Sequence, residues 1–353
     1  MMAVNSAKPD AVFAIVVPTV ALADQWVVGL SEDLGVSPAE IAVSGGGRRI
    51  RSYKKVNVFV INSARSQVPE LARSLPTALI VDECHRAASE ENARALSGPF
   101  VATLGLSATP EREWDDLYES VLVPALGGPI AEYGYNAASR DGAISPFELV
   151  NVKVPMAPDE EAEYSRVSRQ IARAGRASTA STEDERLKRL LRQRARISAG
   201  VRSRLPMAIR LIEKHRLERS IIFHEDISAA DILCQTLLAR NHRAAVYHSG
   251  VGDRLRQDNL RLFRRGEIDV LVTCRALDEG VNVPDARVAV IAASTASTRQ
   301  RIQRLGRVLR PAPGKESATV YTIYASKPEE DRLRREAEKL EGAREVSWLK
   351  ESR

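Results

Sequence analysis

Two acidic residues, Asp82 and Glu83, directly follow the apolar run Ala78–Val81. A continuous apolar run is typical of a strand buried on both faces of a parallel sheet. Ligand sites in such sheets lie outside the carboxyl ends of the strands. An Asp at that place can hold Mg²⁺ through water, and a neighbouring Glu can orient an attacking water for phosphoryl transfer. For this pair alone, two acids on an ordinary loop remain the plainer interpretation.

Cys84 and His85 come next, but they do not predict a metal centre of their own. Adjacent residues cannot easily both face one ion, and no cluster of Cys and His accompanies them. The chain has three cysteines, Cys84, Cys234 and Cys274, which are too few and too scattered for a zinc cluster or a disulfide framework.

Three arginines near the C-terminus recur at a spacing of three residues: Arg304, Arg307 and Arg310. This spacing puts them on part of one helix face. Arginines brought across a cleft can stabilise the charge on a transferring phosphoryl group, an effect worth about 10³–10⁵ in rate. Taken in isolation, an arginine-rich surface helix is the alternative that the spacing favours.

Short apolar runs alternate with helical spacing along the whole chain, which predicts an α/β fold with two similar parallel-sheet lobes in tandem. We expect a first lobe at 1–126 and a second lobe at 127–353, separated where Leu126 is followed by Gly-Gly-Pro. Phe147–Val154 is expected to form one strand, and the tail after residue 326 is charged and helical. The remaining predicted strands are Val12–Val17, Val56–Ile61, Ala78–Val81 and Phe100–Leu106 in the first lobe, and Ser220–Phe223, Ala244–Tyr247, Val270–Thr273, Val288–Ile291 and Thr319–Ile323 in the second.

Residues 159–204 form a helical, basic insertion. A solvated helix face is the plainer interpretation of this charge, and a face that contacts phosphates is the sharper one. The basic residues are Arg186, Lys188, Arg189, Arg192, Arg194, Arg196, Arg202 and Arg204.

The composition permits a polyanionic partner. The 353 residues include 52 basic and 46 acidic ones, a net charge of +6, and 42 of the basic residues are Arg. Arg grips phosphates bidentately, although a biased genome explains the balance equally well. Aromatic residues are only 5%, which argues against single-strand binding built on stacking. No apolar run suggests a membrane span or a secretory signal, so the cytoplasm is the expected compartment.

Five ordered segments resemble the motifs of superfamily 2 helicases of the DEAD/DEAH group, over residues 12–325. Asp82-Glu83-Cys84-His85 and Ser107-Ala108-Thr109 resemble motifs II and III. The stretches 272–284 and 300–310 resemble motifs V and VI, and Val17-Pro18-Thr19 resembles motif Ia. The Ser-Ala-Thr-Pro-Glu-Arg stretch and Asp141-Gly142 ahead of Ser145-Pro146-Phe147 are similar to the XPB-like and type III restriction-subunit-like groups.

The resemblance implies two RecA-like lobes and an ATP-dependent DNA or RNA helicase or translocase that uses ATP and Mg²⁺. The implied partner is nucleic acid, with DNA favoured over RNA, bound mainly through backbone phosphates; no membrane is implied. Asn282 stands where the family more often has Asp, which puts its part in coupling in doubt. The resemblance implies the catalytic residues Asp82, Glu83, His85, Gln303, Arg307 and Arg310. The residues implied to bind the nucleotide are Asp82, Glu83, Gly280, Arg307 and Arg310. Those implied to contact nucleic acid, or to couple it to the nucleotide, are Pro18, Thr19, Ser107, Thr109, His248 and Thr273.

One motif of the family does not occur in this sequence. A phosphate loop needs Gly-x-x-x-x-Gly-Lys-Ser/Thr, and no Lys of the chain is followed by Ser or Thr. The glycines at 45–47 are expected to form a turn. We therefore expect the first lobe to be N-terminally truncated and to lack an interior strand. Losing the buried aliphatic side chains of that strand would cost about 8–15 kcal/mol of stability.

The missing motif leaves three hypotheses open. The first is a helicase of this type whose recorded sequence starts too late or whose gene is truncated, so that it is impaired alone and needs a preceding segment or a protein partner to supply motif I. A split or degenerate helicase subunit that binds nucleic acid or a partner without hydrolysing ATP is the alternative. The third is an unrelated nucleotide-binding α/β protein.

Overall fold

The computed structural model describes residues 1–107, 116–177, 181–274, 286–293, 315, 317–339 and 343–350. The chain forms two compact units, Met1–Glu132 and Tyr133–Arg353, which we call the first and second lobes. Each lobe contains one parallel β-sheet covered by helices. The α/β class with two parallel-sheet lobes, predicted from the apolar runs, is confirmed.

The first lobe has a five-stranded sheet in the order β2-β3-β1-β4-β5, and every described pairing is parallel. Short 3₁₀ turns lie at Pro38–Glu40, Cys84–Ala88 and Arg94–Leu96, and a π-type turn at Tyr118–Leu122. The elements are α1 (Met2–Ala7), β1 (Val12–Val17), α2 (Val20–Glu32), β2 (Ile41–Ser44), β3 (Val56–Val60), α3 (Ile61–Ser74), β4 (Thr77–Asp82), α4 (Glu90–Ala93), β5 (Phe100–Leu106) and α5 (Val123–Leu126).

The strands at the centre of this sheet are buried on both faces. Along β1, Phe13 and Ile15 pack with Leu30 on one side, while Ala14 and Val16 belong to the core on the other side. This two-sided burial explains why the strand is a continuous apolar run rather than an alternating one.

The first lobe's β5 is different, because it lies at one edge of the sheet. It pairs with β4, and no second strand neighbour is found among the described residues. Its apolar side chains are partly exposed, with Val101 at 39% and Leu106 at 37%. The strand carries no charged residue and no proline that would discourage pairing with a further strand.

The glycines at 45–47 form a turn between β2 and β3, as the sequence predicts. Gly45 and Arg48 exchange two backbone hydrogen bonds of 3.0 and 3.1 Å. Gly45 has a φ of +152°, and a Cβ at this position would overlap the Val60 side chain. Glycine is therefore required at position 45, where the backbone lies close to the Val60 side chain.

The second lobe has a seven-stranded parallel sheet in the order β12-β6-β11-β10-β7-β9-β8. Its elements are α6 (Tyr135–Arg140), β6 (Phe147–Lys153), α7 (Pro158–Ala177), α8 (Ser181–Ala199), α9 (Arg204–Lys214), β7 (Ser220–Phe223), α10 (Ile227–Ala239), β8 (Ala244–Tyr247), α11 (Asp253–Arg265), β9 (Val270–Thr273), β10 (Val288–Ile291), β11 (Ala318–Tyr324), α12 (Lys327–Lys339) and β12 (Ala343–Lys350).

The C-terminal tail departs in part from the prediction. Its first half is helical, as α12, but residues 343–350 form the edge strand β12 beside β6. Trp348 anchors this strand, since it meets the Tyr324 ring edge-on at 6.0 Å and lies 4.2 Å from the Arg334 guanidinium. The charged composition of this tail does not predict a strand, because β12 is stabilised by its tertiary contacts.

Within the described part of the chain, no helix has both the length and the apolar character needed to cross a membrane. Cys84, Cys234 and Cys274 form no disulfide bond and are buried. Burial raises the pKa of the Cys234 thiol to about 11, so this cysteine is an inert core residue.

Candidate nucleotide site and strand-end residues

Asp82 is the last residue of β4, at the carboxyl edge of the first sheet. Two N–H groups hold its carboxylate: the Glu83 backbone donates to Oδ1 at 2.9 Å, and the Trp26 indole donates to Oδ2 at 2.8 Å. Each oxygen of an ionised carboxylate can accept a further hydrogen bond or metal-bound water. The geometry thus orients the group without exhausting its capacity to bind.

Glu83 has a strained backbone. Its φ and ψ are both 49°, in the left-handed region that a residue with a Cβ rarely occupies. The surrounding bonds hold it there, since its N–H donates to Asp82 and its carbonyl accepts from the Arg86 N–H at 2.8 Å. Strain of this kind costs about 1–3 kcal/mol and concentrates at functional sites.

His85 links the ends of two neighbouring strands. It lies in the 3₁₀ turn after β4 and is 8% exposed. Its Nδ1 is 3.1 Å from Ser107 Oγ, just beyond β5, and 3.4 Å from Glu83 Oε2. The adjacent Cys84 packs into the core below the sheet edge. His85 therefore contacts both Ser107 and Glu83, so a displacement of the Ser107 side chain can shift the Glu83 carboxylate through the imidazole ring.

The acidic pair is compatible with Mg²⁺ in one particular way. Among the described residues no group of three or more His, Cys, Asp or Glu side chains could hold a metal ion. Mg²⁺ is commonly bound by one or two carboxylates, with waters and substrate phosphates completing the octahedron. Asp82 and Glu83 supply that minimal set of hard oxygen ligands, so they fit Mg²⁺ that arrives with a nucleotide.

Pro18 and Thr19 lie at the same sheet edge, because they follow β1, which is next to β4. Thr19 is the N-cap of α2, and its Oγ1 accepts from the Leu22 N–H at 3.3 Å. The first lobe thus brings Pro18, Thr19, Asp82, Glu83 and Ser107 to the carboxyl ends of three adjacent strands.

In the second lobe, Thr273 is the last residue of β9, and His248 directly follows the neighbouring strand β8. The Thr273 side chain is buried, and His248 is 2% exposed with its Nε2 3.0 Å from Asp231 Oδ1. Both are therefore placed to shape the strand ends rather than to present a side chain at the surface.

His224 directly follows β7, the other neighbour of β9, and was not identified from the sequence. Its Nδ1 accepts from the Asp226 N–H at 3.1 Å. Burial lowers the pKa of His224, the Asp226 bond opposes this, and the positive charge of Arg204 lowers it further.

Two further residues were missed, Trp26 and Asp231. Neither is among the site residues predicted from the sequence. His224 could have been found, because it follows an apolar run as Asp82 does. No sequence signal marks the Trp26–Asp82 or Asp231–His248 pairs, since each depends on a helix packing beside a strand end.

Several predicted site residues lie outside the described part of the chain. Thr109 falls within 108–115, and Gly280 within 275–285. The arginine cluster, with Gln303, Arg307 and Arg310, falls within 294–314. Their roles stay predictions.

Two parallel α/β sheets in tandem, with an acid pair oriented at a strand end of the first, define a two-lobed protein of the RecA-like class. Two family models match the lobes separately. The one described as type III restriction enzyme, res subunit, matches residues 1–112, and the helicase conserved C-terminal domain matches residues 203–312.

The chain belongs to the superfamily 2 helicases, in the group that contains the XPB proteins. It is 30% identical to the DNA 3'-5' translocase XPB2 of Sulfurisphaera tokodaii over 84% of this chain and 68% of that protein. It is 26% identical to the DNA 3'-5' helicase XPB of Mycobacterium tuberculosis over 90% of this chain and 54% of that protein. The chain thus spans from about half to two thirds of these relatives' length.

Solved structures agree on the fold. Saccharomyces cerevisiae Dbp5 bound to RNA and ADP BeF3 superposes with a TM-score of 0.62 at 15% identity, covering 97% of this chain and 78% of that one. A fragment of a type I restriction HsdR subunit from Vibrio vulnificus superposes with a TM-score of 0.63 at 18% identity, covering 97% of this chain and 57% of that one.

Proposed function

We propose that this chain forms the motor core of an ATP-dependent DNA translocase or helicase. The observation that carries the proposal is the arrangement at the end of β4, where Asp82 is oriented by two N–H donors and Glu83 is held in a strained conformation. The names of the relatives favour DNA over RNA as the track.

Each residue of the site has a proposed task. Asp82 holds the Mg²⁺ of a bound ATP through water, and Glu83 orients the attacking water. The ion, when bound, neutralises charge on the transferring phosphoryl group. His85 and Ser107 transmit the state of this site along the sheet edge, where Pro18 and Thr19 face the nucleic acid.

The proposal also needs a phosphate loop, which this sequence does not contain. A parallel strand added beside β5 would end two strands from β4, about 10 Å away at the usual strand spacing. Added beside β2, it would end about 19 Å away. We therefore propose that a strand and loop from another segment or polypeptide pair with β5, whose apolar side chains are partly exposed.

In the second lobe, Arg307 and Arg310 are proposed as the arginines that stabilise charge on the phosphoryl group, with Gln303 positioning water or nucleotide and Gly280 beside it. Thr273 and His248 are proposed to couple the nucleotide to the track by positioning the strand ends.

The basic helix α8 is proposed as a contact for backbone phosphates. Arg186, Arg189, Arg192 and Arg196 are exposed, and at about 100° per residue they lie within roughly 120° of one another around the helix axis. Arg204, part of the same basic run in sequence, is fully buried and takes no part in this surface.

The test measures ATP hydrolysis with and without DNA. The chain alone is expected to be nearly inactive, because ATP lacks its phosphate cradle. A fusion that adds an apolar strand and a Gly-x-x-x-x-Gly-Lys-Thr loop ahead of residue 1 should gain DNA-stimulated activity. Glu83→Gln and Arg307→Ala should each abolish that gain.

The outcomes separate the two functions. A fusion that binds DNA but stays inactive would favour the alternative, a subunit that binds nucleic acid or a partner without hydrolysing ATP. A robust rate from the unfused chain that Glu83→Gln abolishes would show that the phosphate loop is dispensable.

A further inference from the structure

One side chain at the acidic site has no task in the proposed mechanism. Trp26 lies on α2, packs against the apolar core beneath that helix and is partly buried. Its indole Nε1 reaches across to Asp82 and donates to Oδ2 at 2.8 Å, although the two residues are 56 positions apart.

The chemistry of this donor suits a metal-binding carboxylate. An indole can only donate, through a single N–H, and it carries no charge. Together with the Glu83 backbone N–H it holds one bond on each oxygen of Asp82. A Lys or Arg in its place would also orient the carboxylate, but its positive charge would compete with a divalent cation.

The rigidity of the donor matters as well. Trp26 has two side-chain torsions, and packing against the core restricts both. Outer-shell partners of this kind fix the orientation of a metal ligand, and replacing them typically weakens metal binding about 10- to 100-fold.

We propose that Trp26 is the positioning residue for Asp82, holding its carboxylate in the orientation that receives the metal ion of a bound nucleotide. This inference rests on the proposed function, because it takes Asp82 as the group that holds that ion. Trp26 acts through Asp82 and touches neither the nucleotide nor the reacting atoms.

The experiment measures Mn²⁺ binding by electron paramagnetic resonance, with ADP present, in the fusion of the full chain that carries the added strand and phosphate loop. Trp26→Phe removes the N–H and keeps an aromatic ring, and we expect Mn²⁺ affinity to fall about 10- to 100-fold. ADP affinity in the presence of a chelator should not change, because the indole acts on the metal ligand. Trp348→Phe, which changes a tryptophan of the second lobe, is the matched control.

A second variant guards against a packing effect. Incorporating 3-benzothienylalanine at position 26 replaces the N–H with sulfur and keeps the bicyclic outline. It should weaken Mn²⁺ binding as Trp26→Phe does, while leaving the thermal unfolding midpoint near that of the unmodified chain.

The outcomes distinguish the inference from the function beneath it. In that fusion, Asp82→Asn should weaken Mn²⁺ binding. If it does not, or if the fusion without a substitution binds no Mn²⁺ with ADP, the proposed function fails and the inference with it. If Asp82→Asn weakens binding and both position-26 variants bind normally, the inference alone is overturned. Equal losses of metal-dependent and metal-free ADP affinity would also overturn it, since they indicate a structural role.

Discussion

Arg204 and Glu329 form a buried ion pair in the second lobe, with Nη2 of Arg204 2.7 Å from Oε1 of Glu329. The guanidinium also donates to the carbonyls of Ser198, Ala292 and Ile323, so it ties the start of α9 to the ends of β10 and β11. Burial alone would raise the pKa of Glu329, but Arg204, the Ala325 N–H and the Ser198 hydroxyl hold it below its ordinary value.

Arg204→Met should destabilise the second lobe by about 3–5 kcal/mol, because it leaves the Glu329 carboxylate buried without its cation. Urea unfolding followed by circular dichroism measures this loss. Arg202→Met is the matched control, since Arg202 makes exposed ion pairs with Asp159 and Glu160 and should change stability little. Equal losses of stability in the two variants would contradict the buried Arg204–Glu329 ion pair as the source of the loss.

Replacing Glu83 tests the strain in its backbone. Glu83→Gly should be more stable than Glu83→Ala by about 1–2 kcal/mol, because glycine adopts the left-handed conformation without a Cβ penalty. Chemical unfolding of the two variants compares them, and both lack the carboxylate, so its interactions cancel. If Ala is as stable as Gly at this position, the strain is not present in solution.

His224 makes the stability of the second lobe depend on pH. Burial lowers its pKa in the folded chain, whereas the unfolded chain has an ordinary value near 6.5. Below pH 6.5 the unfolded state therefore binds a proton that the folded state does not. The contribution of His224 to the stability of the folded state should be fully present above this pH. It should be lost as the pH falls toward the lower pKa of the folded state.

The measurement is the urea midpoint at pH 7.5 and at pH 5.5. His242 contributes in the same direction, because burial lowers its pKa too. Glu329 does not account for the change, because its charged partners hold its pKa below the ordinary value of a glutamate, which already lies under this window. His224→Asn, whose Oδ1 can accept the Asp226 bond, should reduce the change in midpoint; an unaltered change would assign the effect elsewhere.

The exposed arginines of α8 should set the salt dependence of DNA binding. Arg189→Ala and Arg192→Ala should weaken binding to all sequences alike, and each should reduce the slope of log K against log salt by about 1. Fluorescence anisotropy with labelled duplexes measures both quantities. Arg335→Ala, an exposed arginine on α12, is the control and should leave the slope unchanged.

The sequence was most informative about the interior strands. Residues such as Ile15 and Leu79 sit in runs that are apolar at every position, which only a strand covered on both faces requires. The two strands that were not predicted, β2 and β12, are edge strands, each with one neighbour among the strands that the structure describes. An edge strand draws its stability from the partner it meets, so its own residues need not be uniformly apolar.

By itself, the sequence determined the α/β class, the position of Asp82 and Glu83 at a strand end, and the family. These three features follow from local pattern, because apolar runs and the order of the motifs can be read directly from the sequence. Tertiary structure alone decided which groups orient the site and stabilise the lobes. Trp26 meets Asp82 across 56 residues, and Arg204 meets Glu329 across 125. Such pairs form only when folding brings distant elements together, and no local spacing encodes them.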